Sequence, residues 1–380
     1  MRHLYLHIPF CAGKCFYCGF YSVERGPADR IDYAALLCRE YDGLAPRLGR
    51  PRLETIYTGG GTPGLLGAPG FRRLAGELRA RGLLEGIAEW TVELNPASSG
   101  EDLLAELRAV GVNRISLGAQ SFDAATLARL GRWHDADDIA RAVARVRQAG
   151  FDHVGLDLIA GLPGVTDALW RETLARAVDT GSEHLSVYCL GVEPGTALHA
   201  QVAGGQQLPD ADAQLDALAL AEQLLTAQGF ERYEISNYAR PGRACRHNLA
   251  VWRGADYLGL GPAAASRIGR RRWTNRPDLD AWIAAVRQGE PPPRASEDLW
   301  TDEEDAVERL VFALRLNGGI DPADLARRVP ALAGRARDWE ARLARLASRG
   351  IVARPPGAAS HWRLTARGRE VADAVIADLL

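Results

Sequence analysis

A chain of 380 residues with a formal net charge of −2 is long enough for two or three domains and offers no electrostatic case for nucleic acid or an anionic membrane. Hydrophobic residues at 47% and charged ones at 25% fit an ordinary soluble globular protein; no apolar run is long enough to span a bilayer, and the first residues show no signal-peptide pattern. Six cysteines over this length do not make a disulfide framework, so a reduced, cytoplasmic setting is expected.

The first two dozen residues hold the most unusual stretch. Leu4 to Ile8 reads as a short strand that runs into Cys11, Cys15 and Cys18 in CxxxCxxC spacing. Three thiolates this close can fold around one face of an iron–sulfur cubane, one sulfur per iron, where a complete set would be four. Without a fourth, one iron keeps an open position for a reactive ligand. Three other readings compete. A structural zinc site wants four ligands, and the spare Cys38 lies in an expected helix. A redox CxxC of Cys15 and Cys18 leaves Cys11 idle. Ordinary buried thiols are the commonest case, but three of the chain's six within eight residues weigh against it. Lys14, inside this loop, is the only lysine of the chain.

Strand-like and helix-like segments then alternate. The pattern predicts a helix over 30–44, a strand from Leu53 into YTGGGTP, a helix over 69–84 and a strand AEWTVELNP. A helix over 101–110 leads into VNRISLGAQS, two helical stretches fill 123–149, and DHVGLDLIAGLPG forms the next strand. A helix over 167–179 precedes EHLSVYCLGVEPG. Six βα units predict a parallel sheet with helices outside it. Six strands are too few for a closed eight-stranded barrel, so the expected fold class is α/β: a partial (β/α)6 barrel over residues 1–195.

The chemically unusual residues fall at the C-terminal end of one strand after another: the cysteine loop, Gly59-Gly60-Gly61-Thr62-Pro63, Glu93, Gln120 and Asp157. In parallel barrels every βα loop opens on that rim, so four such positions facing a cysteine loop favour one shared ligand. The glycines either let backbone approach that ligand or form a tight turn opening a helix at Pro63. Glu93 either accepts from paired ribose hydroxyls or pairs with an arginine. Gln120 and Asp157, in apolar strands, need partners from ligand or protein. Arg132 offers a planar fork for a carboxylate, or is a solvated helix-end charge. Tyr17, between two cysteines, packs on a ligand base or shields a cluster.

With these motifs in place, HIPFCAGKCFYC, YTGGGTP, ELNP, GAQSF, GRWH, DLIAGLP and EPGT resemble, in order, the HemN/HemW branch of the radical S-adenosylmethionine (SAM) superfamily. The resemblance implies a 4Fe-4S cluster on Cys11, Cys15 and Cys18 with SAM chelated at the open iron, where in that superfamily the reduced cluster can cleave it to a 5′-deoxyadenosyl radical; whether SAM is cleaved or only bound stays open. It also implies that Tyr5, Tyr17, Gly60, Gly61, Thr62, Glu93, Gln120, Arg132 and Asp157 hold SAM. A small redox protein such as flavodoxin or ferredoxin would then donate the electron.

Residues 196–290 are expected to extend the barrel, with a helix over 210–228 and the segment CRHNLAVWRGADYLGLG. His247 and Asn248 resemble the start of the HNxxYW motif of HemW-like heme chaperones, with Val251 in place of the tyrosine and Trp252 kept. On that resemblance His247 is a candidate heme ligand, with Cys245 a weaker one; a hydrogen-bonded structural histidine is the alternative. Residues 291–300, in QGEPPPRASEDLW, read as a linker. Helices over 302–315, from Asp321, over 336–348 and from Thr365, with the strands IVAR and HWRL, predict an α+β winged-helix-like domain over 301–380. Its balanced charge favours a lid on the barrel over DNA binding.

Two features divide the branch. Coproporphyrinogen III dehydrogenases of the HemN type resemble this chain but carry a further cysteine where Phe20 stands, and a long extension ahead of the cluster loop, where this chain has ten residues. HemW-like proteins commonly have aspartate where Gly19 stands. The expected function is binding of heme as cargo and its transfer to acceptor hemoproteins, including membrane-bound ones met peripherally. The alternatives are oxidative decarboxylation of coproporphyrinogen III, a HemN-like radical methyltransferase, or a zinc protein without SAM.

Overall fold

The computed structural model describes residues 1–24, 27–49 and 51–379. All six expected strands form: β1 (His3–Ile8), β2 (Thr55–Gly60), β3 (Glu89–Leu94), β4 (Arg114–Gln120), β5 (His153–Ala160) and β6 (His184–Cys189). They pair in that order, all parallel. Helices α1 (Pro27–Leu48), α2 (Gly67–Ala80), α3 (Glu101–Val110), α4 (Ala124–Arg129), α5 (Ala136–Gln148) and α6 (Asp167–Asp179) lie in the connections.

Strand alternation sets the character of the barrel. Leu4, Leu6, Ile8, Ile56, Trp90, Val92, Ile115, Leu117, Val154, Leu156, Leu185 and Val187 are buried in one core beneath the helices. The alternate positions carry Tyr57, Thr91, Glu93, Arg114, Ser116, Asp157, His184 and Ser186, which line the lumen. Each strand therefore has an apolar outer face and a polar inner one. A barrel lined this way keeps a cavity, whereas branched apolar side chains would fill it.

The barrel stays open, and strands from later in the chain extend both sheet edges. In order come α7 (Ala197–Ala203), α8 (Ala211–Ala227), β7 (Glu231–Arg232), β8 (Asn237–Ala239), α9 (Arg246–Trp252), β9 (Tyr257–Leu260), β10 (Ala265–Ile268), β11 (Arg271–Asn275), α10 (Leu279–Gln288) and β12 (Arg294–Leu299). The 12-stranded sheet runs β12-β11-β10-β9-β1-β2-β3-β4-β5-β6-β8-β7. Strand β9 joins β1 in parallel, and β9 to β12 form an antiparallel meander. The stretch 291–300, expected as a linker, thus contains an edge strand.

Glu40 of α1 ties this extension to the barrel. Its carboxyl accepts from the Gly261 N–H at 2.7 Å, Asn275 Nδ2 at 2.7 Å and Trp282 Nε1 at 2.9 Å. Burial still pushes it up to about 7 against those three donors.

The C-terminal segment has its own core around Leu310, Trp339, Leu343 and Trp362. It is built from α11 (Asp302–Leu314), α12 (Pro322–Arg328), α13 (Ala333–Ser348), the hairpin β13 (Val352–Ala353) and β14 (Arg363–Leu364), α14 (Ala366–Glu370) and α15 (Ala372–Leu379). The expected winged-helix order is present, but the expected lid is not. Phe312 packs edge-on against Trp252 of α9 at 5.1 Å, and Arg267 pairs with Asp305 and Glu308 of α11. Those contacts hold the segment against α9 and the strand extension, and among the described residues none beyond 300 lines the lumen. Among the described residues no helix is long and apolar enough to cross a membrane.

Candidate functional site

One cavity of about 670 Å³ runs from the cysteine loop into the lumen. Cys11, Cys15 and Cys18 all line it as free thiols. Backbone bonds hold their loop: Cys11 N–H to Val23 O at 3.1 Å, Val23 N–H to Pro9 O at 2.6 Å and Phe16 N–H to Leu130 O at 3.1 Å. The turn after β2 closes against it, with Gly61 N–H on Ile8 O at 2.8 Å and Thr62 N–H on Phe10 O at 2.7 Å. Gly60 sits at φ +111, and a Cβ on Gly61 would lie 2.6 Å from the Phe10 carbonyl oxygen, so this turn needs glycine at both positions.

A polar chain spans two of the cysteines. Thr62 Oγ1 lies 3.6 Å from Cys11 Sγ, Asn95 Nδ2 donates to Thr62 Oγ1 at 3.1 Å, and Arg132 Nη2 donates to Asn95 Oδ1 at 2.8 Å. Arg132 Nη1 reaches Cys15 Sγ at 3.4 Å, a second Nη2 bond goes to Gly118 O, and its buried Nε has no partner. Glu93 accepts from the Tyr57 hydroxyl at 2.6 Å and the Gly60 N–H at 3.3 Å. Burial, with the Asp157 charge adding to it, pushes the Glu93 carboxyl up to about 7. Ser116 Oγ donates to Asp157 Oδ1 at 3.3 Å, and burial raises that carboxyl too. Gln120 reaches the cavity from a β-bulge with φ +69, an uncommon backbone for glutamine that suits a position held by its surroundings.

Of the residues expected at the site, the cysteines, Tyr17, Gly60, Gly61, Thr62, Glu93, Gln120, Arg132 and Asp157 share this cavity. Tyr5, on the same inner face but not among the cavity's lining residues, has its ring stacked on Tyr57 at 6.2 Å and its hydroxyl 3.1 Å from His7 Nδ1. His247 is not with them. It lies on the barrel floor at the N-terminal strand ends, 6% exposed, with Nδ1 2.8 Å from Thr55 Oγ1, and burial pushes its pKa down to about 3. Glu89 fixes that floor by accepting from the N–H groups of Arg246 at 3.1 Å and His247 at 3.0 Å and from Cys245 Sγ at 3.3 Å.

Asn95 and Tyr57 were not singled out from the sequence. Asn95 stands inside the ELNP motif, and Tyr57 shares its strand face with Gly59, so both signals were there to be read.

The donor set suits a cubane better than a single ion. Among the described residues no three His, Cys, Asp or Glu side chains close on one metal ion, and Cys38, the spare zinc ligand, is buried in α1 outside the cavity. A cubane asks only for one sulfur per iron. Beside it, the unpartnered Arg132 Nε, the carboxyls and the glycine turn after β2 suit a small ligand carrying both charges and hydroxyls.

An open parallel barrel with a polar lumen and a CxxxCxxC loop at its C-terminal rim defines the radical SAM class, and the radical SAM superfamily model matches residues 5–177. The heme chaperone HemW of Mycobacterium tuberculosis is 37% identical over 99% of this chain and 94% of its own length. That of Bacillus subtilis is 32% identical over 93% of each, and that of Escherichia coli 40% over 70% of each. The chain belongs to the HemW family. Among solved structures, the coproporphyrinogen III oxidase HemN from Escherichia coli superposes with a TM-score of 0.85 at 26% identity, covering 100% of this chain and 90% of that one. Membership of the superfamily implies a 4Fe-4S cluster and SAM.

Proposed function

We propose that the protein is a heme chaperone: it binds heme and passes it to acceptor hemoproteins, with the cluster and SAM governing heme state or release. The observation that carries this is the likeness to heme chaperones over nearly the whole chain. Phe20, standing where the porphyrinogen-oxidising members of the branch carry a further cysteine, supports it. In this reading Cys11, Cys15 and Cys18 hold the cluster, which supplies one-electron chemistry at its open iron. Arg132 takes the methionine carboxylate of SAM through its free Nε, Glu93 accepts the ribose hydroxyls, and Gly60, Gly61 and Thr62 offer backbone and a hydroxyl. Gln120 and Asp157 close the lumen side, Tyr17 covers the nucleotide, and Tyr5 positions Tyr57. A flavodoxin- or ferredoxin-like donor, a cytoplasmic setting and peripheral contact with membrane-bound acceptors complete the reading.

Glu93 makes SAM binding depend on pH. Ribose hydroxyls donate to the carboxylate, so SAM affinity rises, by roughly ten-fold, as pH climbs through the carboxyl's value near 7. Calorimetric titration across that range is expected to show the rise, and Glu93→Gln is expected to flatten it.

The decisive experiment sets heme titration beside a coproporphyrinogen III assay with SAM and reductant on one anaerobically reconstituted sample. Heme binding without protoporphyrinogen IX is expected; protoporphyrinogen IX without heme binding would turn the reading into that of an oxidase, which the HemN likeness supports. A ligand role for His247 requires α9 to leave the floor, because the imidazole is buried against Thr55. His247→Ala lowering heme affinity at unchanged Tm supports that role; a lower Tm with heme affinity kept removes it.

A further inference from the structure

Among the described residues six large hydrophobic side chains are exposed, and the four aromatic ones, Phe16, Phe20, Trp133 and Tyr188, belong to the cysteine loop, pack near it or line the cavity it opens on. The other two, Leu299 and Val371, belong to the edge strand β12 and the C-terminal segment. Trp133 is 77% exposed yet lies against the cysteine loop, where a Cβ on Gly13 would fall 2.6 Å from its ring. Phe16 rests on Gly131 in the same way, at 3.1 Å. Phe20 and Tyr188 line the cavity itself, Tyr188 from the end of the inner face of β6. Exposed aromatics collected at one opening mark a binding surface.

We propose that this aromatic rim is where heme docks, with Lys14 as the partner of a propionate; the proposal rests on the heme reading above. Three observations select a macrocycle as the occupant. Flat rings on the lip offer stacking faces to a flat apolar ligand. Their exposed area is on the order of a few hundred Å², well short of the ~1,600 Å² of a stable protein interface. Charge also complements: Lys14 is exposed at the mouth and pairs with no carboxylate among the described residues, whereas Glu193, packed over Gly19 on the other lip, repels anions from that side. The rim opens directly onto the cavity of the three cysteines, so a macrocycle seated there lies beside the cluster, while His247 lies at the opposite end of the barrel.

The test is heme titration of the full chain, anaerobically reconstituted, with iron and sulfide content and SAM binding measured on the same samples. Trp133→Ala/Phe20→Ala is expected to weaken heme by roughly ten-fold or more while cluster content and SAM binding stay as in the wild type. Lys14→Gln is expected to weaken heme but not its dimethyl ester, whose carboxylates are masked. A double variant that binds heme like the wild type overturns the rim assignment and leaves the chaperone reading standing. Wild-type protein that binds no heme removes that reading, and this assignment with it. Unchanged heme binding with lost reduction by flavodoxin would assign the rim to a protein partner and overturn the proposal.

Discussion

Serine in place of Cys11, Cys15 or Cys18 is expected to strip the cluster from anaerobically reconstituted protein, taking iron and sulfide from about four of each per chain to nearly none. Three protein thiolates are already one short of a full set, so a cubane held by two has no margin. The fold should survive, because backbone hydrogen bonds from Cys11, Phe16, Gly61 and Thr62 anchor the loop without metal. Cys189→Ser is the sharpest control: its thiol lines the same cavity but lies outside the CxxxCxxC loop, and the cluster should remain. Full iron content in any variant of the trio would sink the assignment, and iron and sulfide analysis with electron paramagnetic resonance of the reduced protein reads it directly.

The largest loss of stability is expected on the barrel floor, from Glu89→Ala. Glu89 and Arg114 are both buried, 3.7 Å apart, and Arg114 Nη2 has no hydrogen-bond partner. Removing the carboxylate leaves a cation in the lumen and frees the first N–H groups of α9 at the same stroke. Breaking one side of a buried pair costs about 3–5 kcal/mol, and urea denaturation should show a loss of that order. Because the penalty comes from stranding the partner, Glu89→Ala/Arg114→Leu should recover part of it. A Glu89→Ala protein as stable as the wild type would mean the floor is held by something other than this carboxylate.

The barrel and most of the site were legible because both are written in local spacing. Six apolar segments set the strands; Gly60, Glu93 and Gln120 stand at their C-terminal ends, and Asp157 projects from the middle of β5. The extension was not legible for a physical reason. Strand β9 pairs with β1 across some 250 residues of sequence, and nothing in His3-Leu4-Tyr5-Leu6 or Tyr257-Leu258-Gly259-Leu260 announces such a partner. Strand β12 is exposed along nearly its whole length, so RASEDL shows no alternation and reads as a spacer. Balanced charge could not say which end of the barrel the C-terminal segment meets; the edge-on contact of Trp252 and Phe312 decides that. The polar inner face could have been read from the strands as His3-Leu4-Tyr5-Leu6-His7-Ile8 and Glu89-Trp90-Thr91-Val92-Glu93-Leu94 stand, had each residue been assigned a side.

Tyr57 gives the two ends of the barrel a common lever. Its ring lies 5.3 Å from the His247 ring below, while its hydroxyl holds Glu93 at 2.6 Å above. The aromatic ring is rigid, so moving α9 from its seat would remove the His247 contact that backs the ring whose hydroxyl holds Glu93. A displacement beneath the barrel, where the C-terminal segment leans on Trp252, would thereby reach the Glu93 carboxyl on the cavity wall through one rigid ring.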